Sequence, residues 1–123
     1  MKRLAMILIV VTAACSTPAP VSMTEVGLAE FRVSPADEHL AAGPVAFEVV
    51  NSGEFSHTFV MTAADGSVVA ATDPIGPDTT YTLTVGLAPG TYQVSCRIVV
   101  QLADGTIVDH YQEGMHALVH VTG

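Results

Sequence analysis

The sequence predicts an all-β domain, a Greek-key sandwich or barrel of about seven to eight strands. From Met23 onward, short segments of β-branched and aromatic residues alternate with Gly, Pro, Asp and Asn. No helical period of useful length interrupts this pattern. The 123 residues have room for one such domain. A single fold must therefore carry the whole function.

Clusters of turn-forming residues divide the chain into eight candidate strands. The turn segments are 42–44, 51–53, 64–66, 74–78 and 88–90. The predicted strands are 21–33, 45–51, 57–62, 67–72, 80–85, 91–100, 106–110 and 116–122. Strands that follow one another at this spacing are typical of a sandwich or a barrel.

Alternation within the strands indicates which side chains face the core. In strand 91–100, Cys96 falls on the apolar face, close to the end of the strand. His57 has the same parity as Phe59 and Met61, so we expect it to point inward as well. In strand 45–51 the core face consists of Val45, Phe47 and Val49.

The first residues have the features of an export signal. A positively charged start, an apolar stretch and small residues precede Cys15. Residues 12–15 resemble the lipobox of bacterial lipoproteins, which implies acylation of Cys15 and a membrane-anchored protein outside the cytoplasm. An ordinary secretion signal is the alternative, and it also exports the protein. The predicted divisions are 1–14 for the signal peptide, 15–21 for the lipidated Cys15 with a Pro-rich linker, and 22–123 for the domain.

The charge balance of the exported part narrows the choice of partners. Two arginines, Arg32 and Arg97, stand against twelve carboxylates. Such a chain is not suited to binding nucleic acid. The acidity serves solubility, or it steers the protein towards a basic partner. We expect a monomer.

Four residues have the chemistry of a metal site: His57, Cys96, His110 and Met115. Two imidazoles, one thiolate and a weakly bound thioether are the ligand set of a blue-copper centre. Each residue alone has a simpler explanation, since a buried Cys is often a small hydrophobe and a Met often fills the core. Their order, spacing and strand context favour the metal site. Cys96 also lacks a partner for an internal disulfide once Cys15 is acylated or removed.

Two segments resemble the cupredoxins. Residues 49–59 are similar to the family's strand, turn and first His ligand, and residues 89–96 to its penultimate strand and Cys ligand. The spacing from His110 to Met115 is similar to that of plastocyanin. The resemblance covers nearly all of the exported chain. It implies one type 1 copper ion, held by the four residues named above, and a single-electron carrier at the cell envelope.

The chain departs from the family between the Cys and the second His. The family commonly has a few residues there, whereas Cys96 and His110 are separated by the longer segment 97–109. Asp104-Gly105 predicts a hairpin turn within this segment. Pairing outward from that turn places Cys96 opposite Glu113, between the last two ligands. The apolar ribbon either forms a docking patch for a redox partner or folds back over the sandwich.

Other assignments remain open at the level of sequence. His116 directly follows Met115 and is an alternative to His110, while His116 and His120 together would make a second copper site. His39 lies in a polar stretch and is expected to be solvated. The competing functions are copper trafficking or storage with the same ligands, and a metal-free interaction module. An enzyme is disfavoured, because a closed four-ligand site has no open position for a substrate and Cys96 faces inward.

Overall fold

The computed structural model describes residues 20–123. The predicted signal peptide and Cys15 lie outside the described residues. Within that range no helix is long and apolar enough to cross a membrane. The strands are β1 (Ser22–Ala29), β2 (Arg32–Pro35), β3 (His39–Ala41), β4 (Gly43–Asn51), β5 (Val60–Thr62), β6 (Val68–Ala71), β7 (Thr79–Leu87), β8 (Gly90–Ser95), β9 (Val99–Gln101), β10 (Ile107–Asp109) and β11 (His116–Thr122).

The strands form two main sheets and a separate ribbon. One sheet has the order β2-β1-β4-β7 and the other the order β3-β11-β8-β5-β6, while β9 and β10 pair only with each other. The β1–β4 and β3–β11 pairs are parallel, and the other pairs are antiparallel. This is the all-β sandwich that the sequence predicts.

The core lies where the apolar faces of the two sheets meet. In β4, Val45, Phe47 and Val49 are fully buried, which confirms the predicted alternation. Phe47 packs against Phe59, next to β5, with ring centroids 5.5 Å apart. Burial of each such side chain contributes roughly 2 kcal/mol. The sandwich is therefore a rigid support for the loops at its ends.

The segment 21–33 is two strands, and the prediction of one strand was wrong. β1 ends at Ala29, and β2 begins at Arg32 and pairs with it in an antiparallel hairpin. Residues 30–31, the hairpin tip, turn the chain without any of the residues that usually mark a turn. The end of β1 pairs with the end of β4, so the tip lies at the end of the sandwich where β4 ends.

Two other predicted strands are shorter than expected, and one short strand was not predicted. The strand at 57–62 starts only at Val60, and the strand at 91–100 stops at Ser95 and leaves β9 as a separate element. β3 is a short edge strand, in which His39 is exposed. The predicted strands that correspond to β4, β6, β7, β10 and β11 agree within two residues.

The inserted ribbon forms, but its register differs from the predicted one by one residue. The reason is a longer turn, since Leu102 and Thr106 are joined by a backbone hydrogen bond and Gly105 takes a φ of +88°. The expectation that Cys96 lies opposite Glu113 was therefore wrong. The N–H of Cys96 instead donates to the carbonyl of Met115, 3.0 Å away.

Candidate metal centre

Three buried side chains converge at the end of the sandwich that carries the hairpin tip. Nδ1 of His57 and Nδ1 of His110 are 3.2 Å apart, and Sγ of Cys96 lies 3.8 Å from the first and 3.5 Å from the second. His57 and Cys96 are fully buried, and His110 is 3% exposed. In residues 20–123 this is the one His, Cys, Asp or Glu cluster suited to holding a metal ion.

The three donor atoms have the spacing that a transition metal requires. A point equidistant from them lies about 2 Å from each, the length of the bonds that imidazole nitrogen and thiolate sulfur make to such an ion. Two imidazoles and one thiolate in a trigonal arrangement are the strong donors of a blue-copper site. The donor set therefore fits copper in both its chemistry and its geometry.

Met115 completes the donor set. Its side chain is fully buried, and its backbone is hydrogen-bonded to two of the other ligands. The N–H of Met115 donates to the carbonyl of His110, and its carbonyl accepts from the N–H of Cys96, both at 3.0 Å. A thioether is the usual weak fourth donor to copper beside two His and one Cys, and Met115 would be that donor here. Thus His57, Cys96, His110 and Met115 form a type 1 copper-like site, as the sequence predicts.

His57 is held by the loop that follows β4. Its backbone forms an isolated bridge to Ile75, with N–H to carbonyl distances of 3.1 and 2.7 Å. Asn51, at the end of β4, is 1% exposed and organises this loop. Its amide donates to the carbonyls of Phe55 and Ile75, and its oxygen accepts from the N–H of Gly53. The loop is therefore fixed by a buried side chain before it reaches the imidazole.

The sulfur of Cys96 has two further hydrogen-bond donors. The backbone N–H and the hydroxyl of Thr58 lie 3.4 and 3.6 Å from Sγ. The same hydroxyl oxygen accepts from the N–H of Arg97 at 3.0 Å, which ties the residue after His57 to the residue after Cys96. Donors to a ligating sulfur stabilise its negative charge and tune the metal.

His110 and Met115 lie at the two ends of a closed turn. The carboxylate of Asp109 accepts the N–H groups of Tyr111 and Gln112, at 3.0 and 3.3 Å. Gly114 has a φ of +115°, a conformation that L side chains rarely adopt. The turn folds back so that the backbone of Met115 is hydrogen-bonded to both His110 and Cys96.

The hairpin tip contacts both imidazoles, and the sequence analysis missed it. Oε1 of Glu30 lies 2.8 Å from Nε2 of His57, and the ring of Phe31 meets that of His110 edge-on at 5.2 Å. Burial acts to raise the pKa of Glu30, but hydrogen bonds from two backbone N–H groups and from His57 lower that pKa to about 2. The tip went unnoticed because nothing in its sequence marks a turn.

The outer edge of His110 faces a cleft under the ribbon. Because Nδ1 of His110 points at Cys96, the opposite edge of the ring lines this cleft, which has a volume of about 360 Å³. The other lining residues are almost all apolar and come from the hairpin tip, the β4–β5 loop and the ribbon: Phe31, Phe55, Ser56, Ile98, Val100, Leu102 and Val108. Burial lowers the pKa of His110, and the neighbouring His57 acts in the same direction.

The remaining histidines lie outside the cluster. His116 is exposed and packs against the tilted ring of Tyr111, with centroids 4.7 Å apart. His120 stacks on His39 at 5.3 Å, and its Nδ1 lies 3.2 Å from the hydroxyl of Thr91. The structure therefore favours His110 over His116, and it does not bring His116 and His120 into a second metal cluster within the described residues.

The fold and the site together define a copper-site β-sandwich of the blue-copper class. The chain belongs to the cupredoxin-like domain family, whose model matches residues 3–108. The matched part ends just before His110, so the turn that carries the last two ligands lies beyond it. No curated protein matches the chain by sequence.

Solved structures of copper proteins have the same fold at low sequence identity. Auracyanin A of Chloroflexus aurantiacus, a "blue" copper protein, is 17% identical, with 84% of this chain and 100% of that chain covered and a TM-score of 0.66. Reduced auracyanin of Roseiflexus castenholzii is 18% identical, with coverages of 87% and 100% and a TM-score of 0.58. Rusticyanin of Thiobacillus ferrooxidans is 19% identical, with coverages of 83% and 77% and a TM-score of 0.60.

Proposed function

We propose that this protein is a single-electron carrier outside the cytoplasm, with one type 1 copper ion held by His57, Cys96, His110 and, more weakly, Met115. The observation that carries the proposal is the buried triangle of Nδ1, Sγ and Nδ1 atoms, already at ligand spacing. Bound copper supplies the Cu(II)/Cu(I) couple. Soft sulfur donors hold Cu(I), and imidazole suits both oxidation states, so one rigid cage serves both.

The enclosure of the ligands supports a carrier and not an enzyme. His57 and Cys96 are fully buried and His110 is nearly so, which leaves a substrate no route to the metal. An electron needs no such route, because the outer edge of the His110 ring reaches the cleft. The hydrogen bonds from Thr58 keep the sulfur of Cys96 in place through both oxidation states.

The first experiment is to add Cu(II) to the purified domain and to record its visible spectrum. We expect an intense thiolate-to-copper band, which Cys96→Ser abolishes. His116→Gln is the matched control, since His116 is exposed and outside the cluster, and it should keep the band. A parent protein that binds Cu(II) without this band would contradict the proposal.

A second experiment separates electron transfer from copper trafficking or storage, which would use the same ligands. A carrier should be reduced and reoxidised repeatedly in the presence of a copper chelator while the metal content stays constant. A copper donor would lose metal to the chelator once it is reduced. Loss of most of the copper in the first cycles would favour trafficking.

We further propose that a redox protein with a basic rim docks over the cleft. Phe55, Val100 and Leu102 are 60%, 40% and 47% exposed beside His110, and the chain carries twelve carboxylates. Val100→Ser with Leu102→Ser, two exposed residues that line the cleft, should slow reduction by such a partner. Val68→Ser with Val69→Ser is the control, because both residues are apolar and exposed, at 60% and 41%, but lie on β6. Equal rates for both variants, or rates that do not depend on salt, would count against docking here.

Anchoring through Cys15 is the last part of the proposal, and it is supported by the lipobox-like residues 12–15. We expect the expressed protein to partition with membranes and Cys15→Ser to release it or to block its maturation. The mass of the mature N-terminus, measured by mass spectrometry, distinguishes an acylated Cys15 from an ordinary cleavage product.

A further inference from the structure

One carboxylate at the hairpin tip collects three hydrogen bonds. Oε1 of Glu30 accepts from the backbone N–H of Phe55 at 2.9 Å and lies 2.8 Å from Nε2 of His57. Oε2 of Glu30 accepts from the backbone N–H of Glu54 at 3.1 Å. The side chain is still partly open to solvent, with 22% of its surface exposed. Its position is thus set by the β4–β5 loop on one side and by a metal ligand on the other.

The loop is shaped to admit this carboxylate. A Cβ atom added to Gly53 would come within 2.5 Å of Oε1 and 2.7 Å of Oε2 of Glu30, much closer than real Cβ contacts. The backbone of Gly53 does not have a positive φ, so its conformation does not require Gly. The small residue therefore serves to make room for the carboxylate.

The contact to His57 decides which ring nitrogen is available for a metal. When Nε2 carries the proton and donates it to Glu30, the lone pair of Nδ1 is free, and Nδ1 is the atom that faces Cys96 and His110. A carboxylate in this position also makes the imidazole a stronger donor, as in carboxylate–histidine–metal triads. His110 has no carboxylate of this kind among its hydrogen-bond partners in the described chain.

We propose that Glu30 is a positioning residue of the copper site, which fixes the tautomer of His57 and lowers the reduction potential of the bound metal. This inference rests on the proposed function. We expect a lower potential because a negative charge one imidazole away from the ion stabilises Cu(II) more than Cu(I), which carries one positive charge less. Partners of this kind change metal affinity by about 10- to 100-fold when they are removed.

The test compares Glu30→Gln with Glu54→Gln by redox titration of the copper-loaded protein. Both changes remove one carboxylate, but the side chain of Glu54 is exposed and makes no contact with His57. We expect Glu30→Gln to weaken the preference for Cu(II) over Cu(I) about tenfold, which raises the potential by about 59 mV. Glu54→Gln should stay within twofold of the parent. Equal shifts in the two variants would overturn the proposal.

Gly53→Ala tests position apart from charge. The added methyl group displaces the carboxylate of Glu30 without removing it, so the potential should move in the same direction as in Glu30→Gln. A parent-like potential in Gly53→Ala beside a shifted one in Glu30→Gln would mean that Glu30 acts only through its charge, and the positioning role would be wrong.

A measurement without copper completes the test. Nitrogen NMR of the metal-free protein should show His57 with its proton on Nε2, and Glu30→Ala, which removes the acceptor, should mix the two tautomers. An unchanged tautomer in Glu30→Ala would contradict the positioning role. This result does not depend on copper, so it is distinguishable from failure of the proposed function, which would appear as a parent protein without the thiolate-to-copper band.

Discussion

The two imidazoles of the site lie in unlike surroundings. His57 is fully buried, and its outer nitrogen is held by the carboxylate of Glu30. The outer edge of His110 faces an apolar cleft and the aromatic ring of Phe31. His57 is hydrogen-bonded to a carboxylate and belongs to a rigid loop, whereas His110 lies between the metal site and the protein surface. We infer that the two ligands have different roles: the surroundings of His57 set the reduction potential, and His110 is the route by which the electron passes.

Replacing each imidazole by Gly gives the strongest test of this difference. Both His57→Gly and His110→Gly should lose the thiolate-to-copper band. Added imidazole should restore it in His110→Gly at a concentration at least about tenfold lower, a difference of about 1.4 kcal/mol, because the cleft opens directly onto that position. The band is measured as imidazole is titrated in. Equal rescue of the two variants would contradict the predicted asymmetry.

The loops that hold the two ligands should differ in their contribution to stability. Asn51→Ala removes a buried amide and leaves the carbonyl of Phe55 and the N–H of Gly53 without their partner, while the carbonyl of Ile75 keeps only its bond from His57. We therefore expect a loss of about 2–4 kcal/mol in the free energy of unfolding. Asp109→Ala, on the His110 side, removes a half-buried acceptor and should cost about 1 kcal/mol. Urea denaturation of the metal-free proteins measures both values. A larger loss in Asp109→Ala would reverse the comparison.

In the metal-free protein, the contributions of His110 and Glu30 to folding stability should be lost in different pH ranges. The pKa of His110 is lowered from 6.5 by burial, so its neutral form is favoured in the folded state, and stability falls as the pH drops below 6.5. The pKa of Glu30 is lowered from 4.5 to about 2, so its contribution is present above pH 4.5 and is lost as the pH falls towards 2.

Denaturation of metal-free Glu30→Gln and of the parent at several pH values checks this order. The difference in unfolding free energy between the two proteins should be constant above pH 4.5 and should shrink below it. A difference that already disappears between pH 6.5 and 5 would place the titrating group elsewhere.

The smallest expected effect concerns the sulfur that both sides share. Thr58→Val removes the hydroxyl that lies 3.6 Å from Sγ of Cys96 and keeps the N–H at 3.4 Å. Loss of one such bond is worth roughly 1 kcal/mol, so the preference between the oxidation states should change by less than tenfold. Fewer donors to the thiolate should lower the potential, in the direction opposite to Glu30→Gln. A rise in Thr58→Val would contradict this account.

Several features of the site could be read from the sequence because they depend on local patterns. Alternation placed Cys96 and His57 on inward faces, and both are fully buried. The composition of the ligand set pointed to copper, and the turn at Asp104-Gly105 correctly predicted the ribbon. These are short-range properties, since the direction of a side chain in a strand has a period of two residues.

The tertiary structure alone decided which residues contact each ligand. No local rule places Glu30 against His57, 27 residues away in the chain, because their contact depends on a turn without turn residues and on the pairing of β1 with β4. The register of the ribbon likewise depended on one additional turn residue. The sequence thus determined the fold class and the donor atoms. Long-range strand pairing decided the surroundings of those atoms, because this pairing brings together segments whose own sequences do not indicate that they are neighbours.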